Sequence, residues 1–170
     1  SRGTGREPRG TAGHVAMTEM HAISTPIGDL VIEAERDALT RVTWKRRGPI
    51  REAPATALLA AAEDQLDAYF AGRARAFDLP LAVVGSELER QVWAAMQAIP
   101  YGATRTYGDL ARELGADPRD VGTACGRNPI AVVIPCHRIV GAGGKLVGYS
   151  GGKGVETKRQ LLMLEGALLV

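Results

Sequence analysis

The chain has 170 residues, of which 45% are hydrophobic, enough to build the core of one domain or of two small ones. The formal net charge is only +2, so composition alone does not demand a polyanionic partner. Only two cysteines occur, no signal-peptide pattern is present, and no apolar run reaches membrane-spanning length. These features argue against a disulfide framework and a membrane protein, and they predict a reducing, cytoplasmic setting.

Charge and composition divide the chain into three parts. Residues 1–16 are rich in Gly, Arg and Thr without apolar periodicity, which predicts a disordered extension or tag before a natural start at Met17. Residues 17–84 carry more acidic than basic side chains, and residues 85–170 carry the reverse excess. We expect an N-terminal α+β lobe followed by a mildly basic C-terminal lobe, whose affinity for nucleic acid would be modest and salt-dependent.

The first lobe opens with a pattern typical of paired strands. Between His21 and Trp44, apolar residues alternate with polar ones around turns at 26–28 and 35–37, which predicts a β-hairpin. Residues 45–49 form a basic segment that we interpret as a solvated connection.

A helical pattern follows in the same lobe. Apolar residues from Leu58 to Phe70 recur at helical spacing, and Gly72 stands where such a helix ends. Alternating residues 77–81 predict one further short strand. Nothing in this lobe indicates catalysis.

The second lobe begins with three predicted helices. Ser86 and Glu89 form a capping box ahead of the first helix, which residues 100–102 terminate. Thr106 caps a second helix over residues 107–114, which Gly115 ends.

The third helix follows after a very short turn. Asp117 and Pro118 begin it, and it runs to about Gly126. Two short helices joined so tightly predict a helix-turn-helix, although a plain αα-hairpin fits the same spacing. An arginine in the first turn, Arg119, and the small residues after it favour an element that approaches a groove closely.

Residues 128–140 form an apolar, β-branched run that contains a Pro-Cys-His-Arg step. The pattern predicts a buried strand that breaks at Pro135 and presents Cys136 at a turn. A free cysteine is commonly a small buried hydrophobe. Here His137 and Arg138 follow directly, and both can favour a nucleophilic thiolate. The pattern alone leaves both interpretations open.

The last part of the chain contains a glycine-rich loop and a helix. Residues 141–145 predict a flexible loop that lacks the pattern of a phosphate-binding loop. Residues 155–165 predict an amphipathic helix that packs through Leu161, Leu162 and Leu164.

Three motifs together resemble a known family. Asn128-Pro129, Pro135-Cys136-His137-Arg138 and the Gly-Tyr-Ser-Gly-Gly of residues 148–152 are similar to the active-site region of the O6-alkylguanine-DNA alkyltransferases. The similarity extends from about Ser86 to Glu165 and is fainter from Met17 to Leu81.

The resemblance implies a fold and a reaction. The expected fold is α+β, with a small N-terminal α/β lobe of ribonuclease H-like type and a mostly helical C-terminal winged helix-turn-helix lobe. The expected function is DNA repair, in which an alkyl group passes irreversibly from O6 of guanine in double-stranded DNA to Cys136, once per molecule and without a cofactor. The protein is expected to be a monomer that enters the minor groove, and the resemblance leaves open both cooperativity on DNA and activity on O4 of thymine.

The resemblance also implies roles for individual residues. Cys136, water, His137 and Glu165 would form a proton relay, and Asn128 would tie turns together behind the site. Without the resemblance, Glu165 would be interpreted as a solvated carboxylate at a helix end. The residues expected to bind the lesion or the DNA are Tyr107, Arg119, Gly122, Thr123, Arg127, Arg138, Val147, Tyr149 and Ser150.

Among these residues, Arg119 would fill the gap left by the flipped base, and Tyr107 would crowd a phosphate and donate to guanine N3. The Val147 carbonyl would accept from the guanine amino group, and Ser150, in the lid with Tyr149, would donate to O6.

Two departures from the family pattern affect these expectations. The segment before Arg119 is about two residues shorter than in many relatives, which leaves its exact insertion open. The N-terminal lobe contains no cysteine and one histidine, His21, so the structural zinc of some relatives is not expected.

Three other functions compete with repair. Alkyltransferase-like proteins that only flag lesions lack the nucleophile, whereas Cys136 is present. A transcription regulator that accepts methyl groups needs a further acceptor domain, for which the chain has no room. A Cys–His hydrolase needs an oxyanion site, and no pattern indicates one.

Overall fold

The computed structural model describes residues 18–44 and 53–168. The predictions for residues 1–16 and for the basic segment 45–49 lie outside the described residues. The N-terminal lobe consists of an antiparallel sheet in the order β1-β2-β3 and one helix. Its elements are β1 Thr18–Ile23, β2 Leu30–Glu35, β3 Ala38–Thr43 and α1 Ala57–Phe70.

The sheet and α1 enclose the core of this lobe. Where we expected a hairpin, the structure has three strands, one before, one between and one after the two predicted turns, and the middle strand, β2, is almost wholly buried. The predicted helix is present: Thr56 caps it, and Gly72 follows its end with a positive φ of 74°. The helix buries one stripe, which consists of Leu59, Ala62, Leu66 and Tyr69.

The short strand predicted at residues 77–81 is wrong. Only one isolated bridge joins Leu81 to Leu39 there. The neighbouring residue Pro80 accepts a hydrogen bond from the Leu39 backbone through its carbonyl. Because proline has no backbone N–H, the ladder cannot continue through this position.

The C-terminal lobe is mostly helical, as predicted. Ser86 and Glu89 form the expected capping box of the first helix, and Thr106 forms one with Asp109 in the second. Gly115 ends the second helix with a φ of 62°. The elements are α2 Glu87–Gln97, β4 Arg105–Thr106, α3 Tyr107–Leu114, α4 Pro118–Gly126, β5 Ile139–Val140 and α5 Val155–Leu164.

Helices α3 and α4 form the predicted helix-turn-helix. The Asp117 side chain accepts from the backbone of Arg119, and Pro118 occupies the first turn of α4. Both helices pack on α2, where the Trp93 indole donates to the Ala124 carbonyl over 2.9 Å.

Residues 128–140 do not form the buried strand that their composition predicts. Ile130 makes only an isolated bridge to Val42, and the chain then turns, with Val132 at a φ of 70°. A 3₁₀ turn at Cys136–Arg138 follows, and only β5 pairs as a strand, in parallel with β4. The residues are buried as predicted, but their burial comes from turns packed between the lobes.

The two lobes are joined at this turn. The Val42 backbone of β3 donates to the Pro129 carbonyl and accepts from Ala131, both over 3.0 Å. The loop predicted at residues 141–145 contains a short 3₁₀ turn at Ala142–Gly144, and its ends are joined by a hydrogen bond of 2.8 Å. Within the described ranges, no helix is long and apolar enough to cross a membrane.

Candidate active site

Cys136 lies on a cavity of about 570 Å³ between the two lobes. The 3₁₀ turn leaves the cysteine partly exposed while the next residue, His137, is fully buried. The cavity brings together Cys136 and six of the predicted site residues, namely Tyr107, Gly122, Arg127, Asn128, Tyr149 and Ser150. Arg41 of β3 and Trp44, the residue after that strand, complete its wall, which the sequence did not indicate.

His137 and Glu165 form the predicted pair. The His137 Nε2 lies 2.7 Å from Glu165 Oε2, and both side chains are buried. Burial raises the pKa of Glu165, but hydrogen bonds from His137 and Arg138 outweigh it and hold that pKa at about 2. Burial also lowers the pKa of His137. At neutral pH the pair is therefore a carboxylate that accepts from a neutral imidazole.

This protonation state fixes the histidine tautomer. Because the carboxylate of Glu165 can only accept, the His137 proton resides on Nε2 and Nδ1 keeps its lone pair. The Nδ1 atom is buried and has no hydrogen-bond partner among residues 18–44 and 53–168. The imidazole thus offers one free basic nitrogen one residue away from the thiol.

Arg138 differs from its predicted role. The sequence placed it among the DNA-binding residues, but its side chain is buried and its guanidinium binds Glu165 through Nε at 2.8 Å and Nη2 at 3.0 Å. Its Nη1 donates to the Ile99 carbonyl over 2.7 Å. With its donors engaged inside the protein, Arg138 orients Glu165 and is not placed to contact DNA.

Asn128 occupies the position expected of a residue that ties turns together. Its amide donates to the Ile134 carbonyl over 2.7 Å, and its side-chain oxygen accepts from the Ile130 backbone over 2.9 Å. Burial raises the pKa of the Cys136 thiol, and the Asn128 side chain lowers it in part. One side chain therefore shapes the turn and favours the thiolate.

Lys158 is a site residue that the sequence interpretation missed. It is fully buried, and its ammonium donates to the carbonyls of Val147 at 2.9 Å and Gly148 at 3.3 Å. Burial lowers the pKa of Lys158, and its charge lowers the pKa of Cys136. The sequence contained a signal for it, because Lys158 lies at helical spacing from Leu161 and Leu162 on the buried face of α5, and Glu165 follows seven residues later at the C-cap of that helix.

Tyr107 and Val147 are bonded to each other. The Tyr107 hydroxyl donates to the Val147 carbonyl over 3.2 Å, and its ring lies 5.7 Å from the Lys158 ammonium. Since the Val147 carbonyl already accepts from Lys158, both of its lone pairs are used. The roles predicted for these residues toward guanine therefore require them to change hydrogen-bond partners.

Tyr149 and Ser150, the residues predicted to form a lid, line the cavity. The Tyr149 hydroxyl is buried and has no hydrogen-bond partner within the described residues. Its ring meets the indole of Trp44 edge to face, with centroids 6.1 Å apart. The next glycine, Gly151, lies so close to this indole that a Cβ would collide with it. The N-terminal lobe therefore supports the lid directly.

Four predicted DNA-binding residues lie on α4 or at its end. Arg119 and Thr123 are exposed, and the Thr123 hydroxyl donates to the Arg119 carbonyl over 3.0 Å. Gly122 and Arg127 line the cavity mouth. The exposed first turn of α4 and part of the cavity wall therefore lie on one helix.

Comparison with known proteins gives the family. The ribonuclease-like domain of 6-O-methylguanine DNA methyltransferase matches residues 20–83, and the DNA binding domain of the same family matches residues 87–167. Together these matches span most of the chain. The chain belongs to the 6-O-methylguanine DNA methyltransferase family.

Individual relatives agree with this assignment. The chain is 46% identical over 157 residues to a methylated-DNA--protein-cysteine methyltransferase of Mycolicibacterium paratuberculosis, which covers 88% of this chain and 93% of that protein. A crystal structure of Mycobacterium tuberculosis OGT in complex with DNA superposes with a TM-score of 0.77 at 42% identity, covering 87% of this chain and 92% of that one. The predicted family and fold class are confirmed.

Among the described residues, no group of three or more His, Cys, Asp or Glu side chains could hold a metal ion. His21, the histidine of the N-terminal lobe, binds Glu63 through Nε2 at 2.7 Å instead. The expectation of a zinc-free lobe remains a prediction.

Proposed function

We propose that Cys136 is the residue that accepts the alkyl group, and that it takes this group from O6 of guanine in double-stranded DNA. As a member of its family, the chain repairs DNA by alkyl transfer to a cysteine. In the reaction the carbon–oxygen bond at O6 breaks and a carbon–sulfur bond forms. The thiol proton leaves, and guanine takes up one proton. Since the thioether is stable, each molecule acts once.

His137 is the proposed base. Its free Nδ1 takes the thiol proton through a bridging water, and Glu165 stabilises the resulting imidazolium through Nε2. The buried Lys158 charge then stabilises the thiolate. The observation that carries this proposal is the 2.7 Å contact between a neutral imidazole and an ionised carboxylate beside a cavity-lining thiol.

The α4 helix is the proposed DNA-entry element. Its small residues Gly122 and Thr123 permit close approach to the minor groove, and Arg119 fills the space that the flipped base leaves. Arg127 at the end of α4 adds a phosphate contact. Tyr107 donates to guanine N3, Ser150 donates to O6, and the Val147 carbonyl reads the guanine amino group.

The substitution Arg119→Ala tests whether Arg119 fills the gap that the flipped base leaves in the duplex. Flipping a base costs a few kcal/mol in a duplex and nothing for the free base. We therefore expect Arg119→Ala to slow transfer from a duplex containing O6-methylguanine about tenfold, and to leave reaction with the free base unchanged. Rate constants measured on both substrates check this. An equal loss of rate on the duplex and on the free base would show that Arg119 does not fill the gap left by the flipped base.

The central test of the proposed function is a mass measurement. After incubation with a duplex bearing O6-methylguanine, one methyl group per molecule should appear on the peptide that contains Cys136. Repeated turnover, or a methyl group on any other residue, would refute the proposal.

The domain boundary and the compartment complete this proposal. We place the boundary between residues 84 and 85, just before the Ser86 cap of α2. The protein is proposed to act as a cytoplasmic monomer on chromosomal DNA. An oligonucleotide with O4-methylthymine in the same assay decides whether that base is a second substrate.

A further inference from the structure

A hydroxyl from the N-terminal lobe reaches the proposed relay. Tyr69, near the end of α1, donates to Glu165 Oε2 over 2.6 Å, across a separation of 96 residues in sequence. The Tyr69 side chain is only 1% exposed. Burial raises the pKa of Tyr69 far above its usual value, so the hydroxyl remains protonated and donates throughout the accessible pH range.

The hydrogen bond ends on the oxygen that His137 uses. Glu165 Oε2 accepts from His137 at 2.7 Å as well as from Tyr69. Arg138 binds both oxygens of the same carboxylate. The carboxylate is therefore surrounded by donors, and Tyr69 is the donor that comes from outside the C-terminal lobe. Sharing Oε2 reduces the negative charge that the imidazole experiences.

The Tyr69 ring is held by aromatic neighbours from both lobes. Its centroid lies 5.3 Å from that of Phe77 and 6.2 Å from that of Tyr101. The Tyr101 hydroxyl donates to the backbone carbonyl of Leu164, one residue before Glu165. Two tyrosine hydroxyls of one cluster thus meet the end of α5, and only one of them binds the carboxylate.

We propose that Tyr69 is a positioning residue for alkyl transfer. Its hydroxyl fixes the orientation of the Glu165 carboxylate and limits how strongly that carboxylate attracts a protonated His137. The N-terminal lobe thereby takes part in activating the thiol. This inference rests on the proposed function of Cys136, His137 and Glu165, and it adds a residue that neither the sequence motifs nor the cavity lining indicated.

The two hydroxyls provide a matched pair of variants. Tyr69→Phe removes the donor to Glu165, and Tyr101→Phe removes a donor from the same cluster that binds only a backbone carbonyl. The rate constant of methyl transfer from duplex O6-methylguanine to Cys136 is measured between pH 5 and pH 9. Thermal unfolding and DNA affinity are measured beside it.

We expect Tyr69→Phe to lower the rate constant about tenfold, with DNA affinity unchanged. Without the hydroxyl, Oε2 carries more negative charge, which favours protonated His137 and raises its pKa. The acid limb of the pH–rate profile should therefore move to higher pH. Tyr101→Phe should keep the wild-type rate and profile. A merely structural role for Tyr69 would affect unfolding without moving the profile.

Combining Tyr69→Phe with a substitution of Glu165 distinguishes this positioning role from a general loss of protein stability. If Tyr69 acts through Glu165, adding Tyr69→Phe to Glu165→Gln should change the rate no further. Additive losses, or identical profiles for Tyr69→Phe and Tyr101→Phe, would overturn the inference. Failure of the wild-type protein to take up methyl on Cys136 would instead overturn the proposed function.

Discussion

The two cysteines make an instructive comparison, because both line the same cavity and only one has the surroundings of a nucleophile. Cys125 lies at the end of α4, where burial raises the pKa of its thiol to about 12, and its sulfur contacts the Met96 sulfur at 3.8 Å. Burial raises the pKa of Cys136 as well. The Lys158 charge lowers the pKa of both thiols, whereas His137, a base, follows Cys136 directly and the Asn128 side chain lowers the pKa of Cys136.

The difference shows that a shared cavity does not make a thiol reactive. Both cysteines are desolvated, which favours the neutral thiol. Cys136 differs because a 3₁₀ turn places it directly before a base, His137, and next to the Asn128 side chain, which lowers the pKa of its thiol. Reactivity here comes from the neighbours of the turn, and each of the following changes tests one part of that contrast.

Removing the Cys136 sulfur should have the largest effect. Cys136→Ser keeps the size and the turn but replaces the thiol with a hydroxyl that stays protonated at neutral pH. We expect methyl transfer to be abolished and binding to duplex DNA to be retained. Mass spectrometry of the whole protein and a DNA titration check the two halves of this expectation. Methyl appearing on Cys125 in this variant would erase the distinction between the cysteines.

Removing the buried charge should have an intermediate effect. Lys158→Met keeps the length of the side chain and removes the cation that lowers the pKa of Cys136. If the pKa of Cys136 rises by about one unit without this cation, the thiolate fraction falls about tenfold, and transfer at neutral pH should slow by the same factor. The pH dependence of iodoacetamide labelling at Cys136 measures this, and it should shift to higher pH. An unshifted labelling curve would show that Lys158 serves only the fold.

The wild-type thiols should also differ in labelling. Because the thiolate is the reacting form, labelling of each cysteine should rise with pH through its own pKa. Burial raises the pKa of both thiols, but Cys136 is partly exposed and stands next to a base, whereas Cys125 is buried, so Cys136 should be labelled first at neutral pH. Peptide mapping after brief exposure to iodoacetamide separates the two sites. Equal labelling at pH 7 would contradict the contrast.

Removing the Cys125 sulfur should have the smallest effect. Cys125→Ala deletes the contact with Met96 and leaves the relay intact. We expect a transfer rate within about twofold of wild type and a loss of about 1 kcal/mol in the free energy of unfolding. Denaturant titration and the methyl-transfer assay together check this. A large loss of transfer with normal stability would assign Cys125 to the chemistry.

The helix boundaries were the features that the sequence predicted best. The capping box at Ser86 and Glu89 and the start of α4 at Asp117 and Pro118 depend on residues within one turn, so local sequence determines them. The pairing of His137 with Glu165 was foreseen only through the resemblance to a family, since these residues lie 28 positions apart.

The features that were missed depend on contacts between distant segments. The run before Cys136 has the composition of a strand, but Val132 takes a left-handed conformation and the segment bridges to β3. Arg138 and Lys158 carry charges that a single sequence places at the surface by default. Their burial is possible because Glu165 and the Val147 carbonyl satisfy them.

The backbone bonds between β3 and the turn that leads to Cys136 have a consequence for how the protein unfolds. Val42 is part of the N-terminal sheet, yet both of its backbone groups bond to residues 129 and 131. The sheet cannot open there without releasing the segment that presents the sulfur. Amide hydrogen exchange at Val42 and Ala131 should accordingly give one common free energy of opening, as in a single cooperative unit, with the reactive turn no more labile than the sheet beneath it.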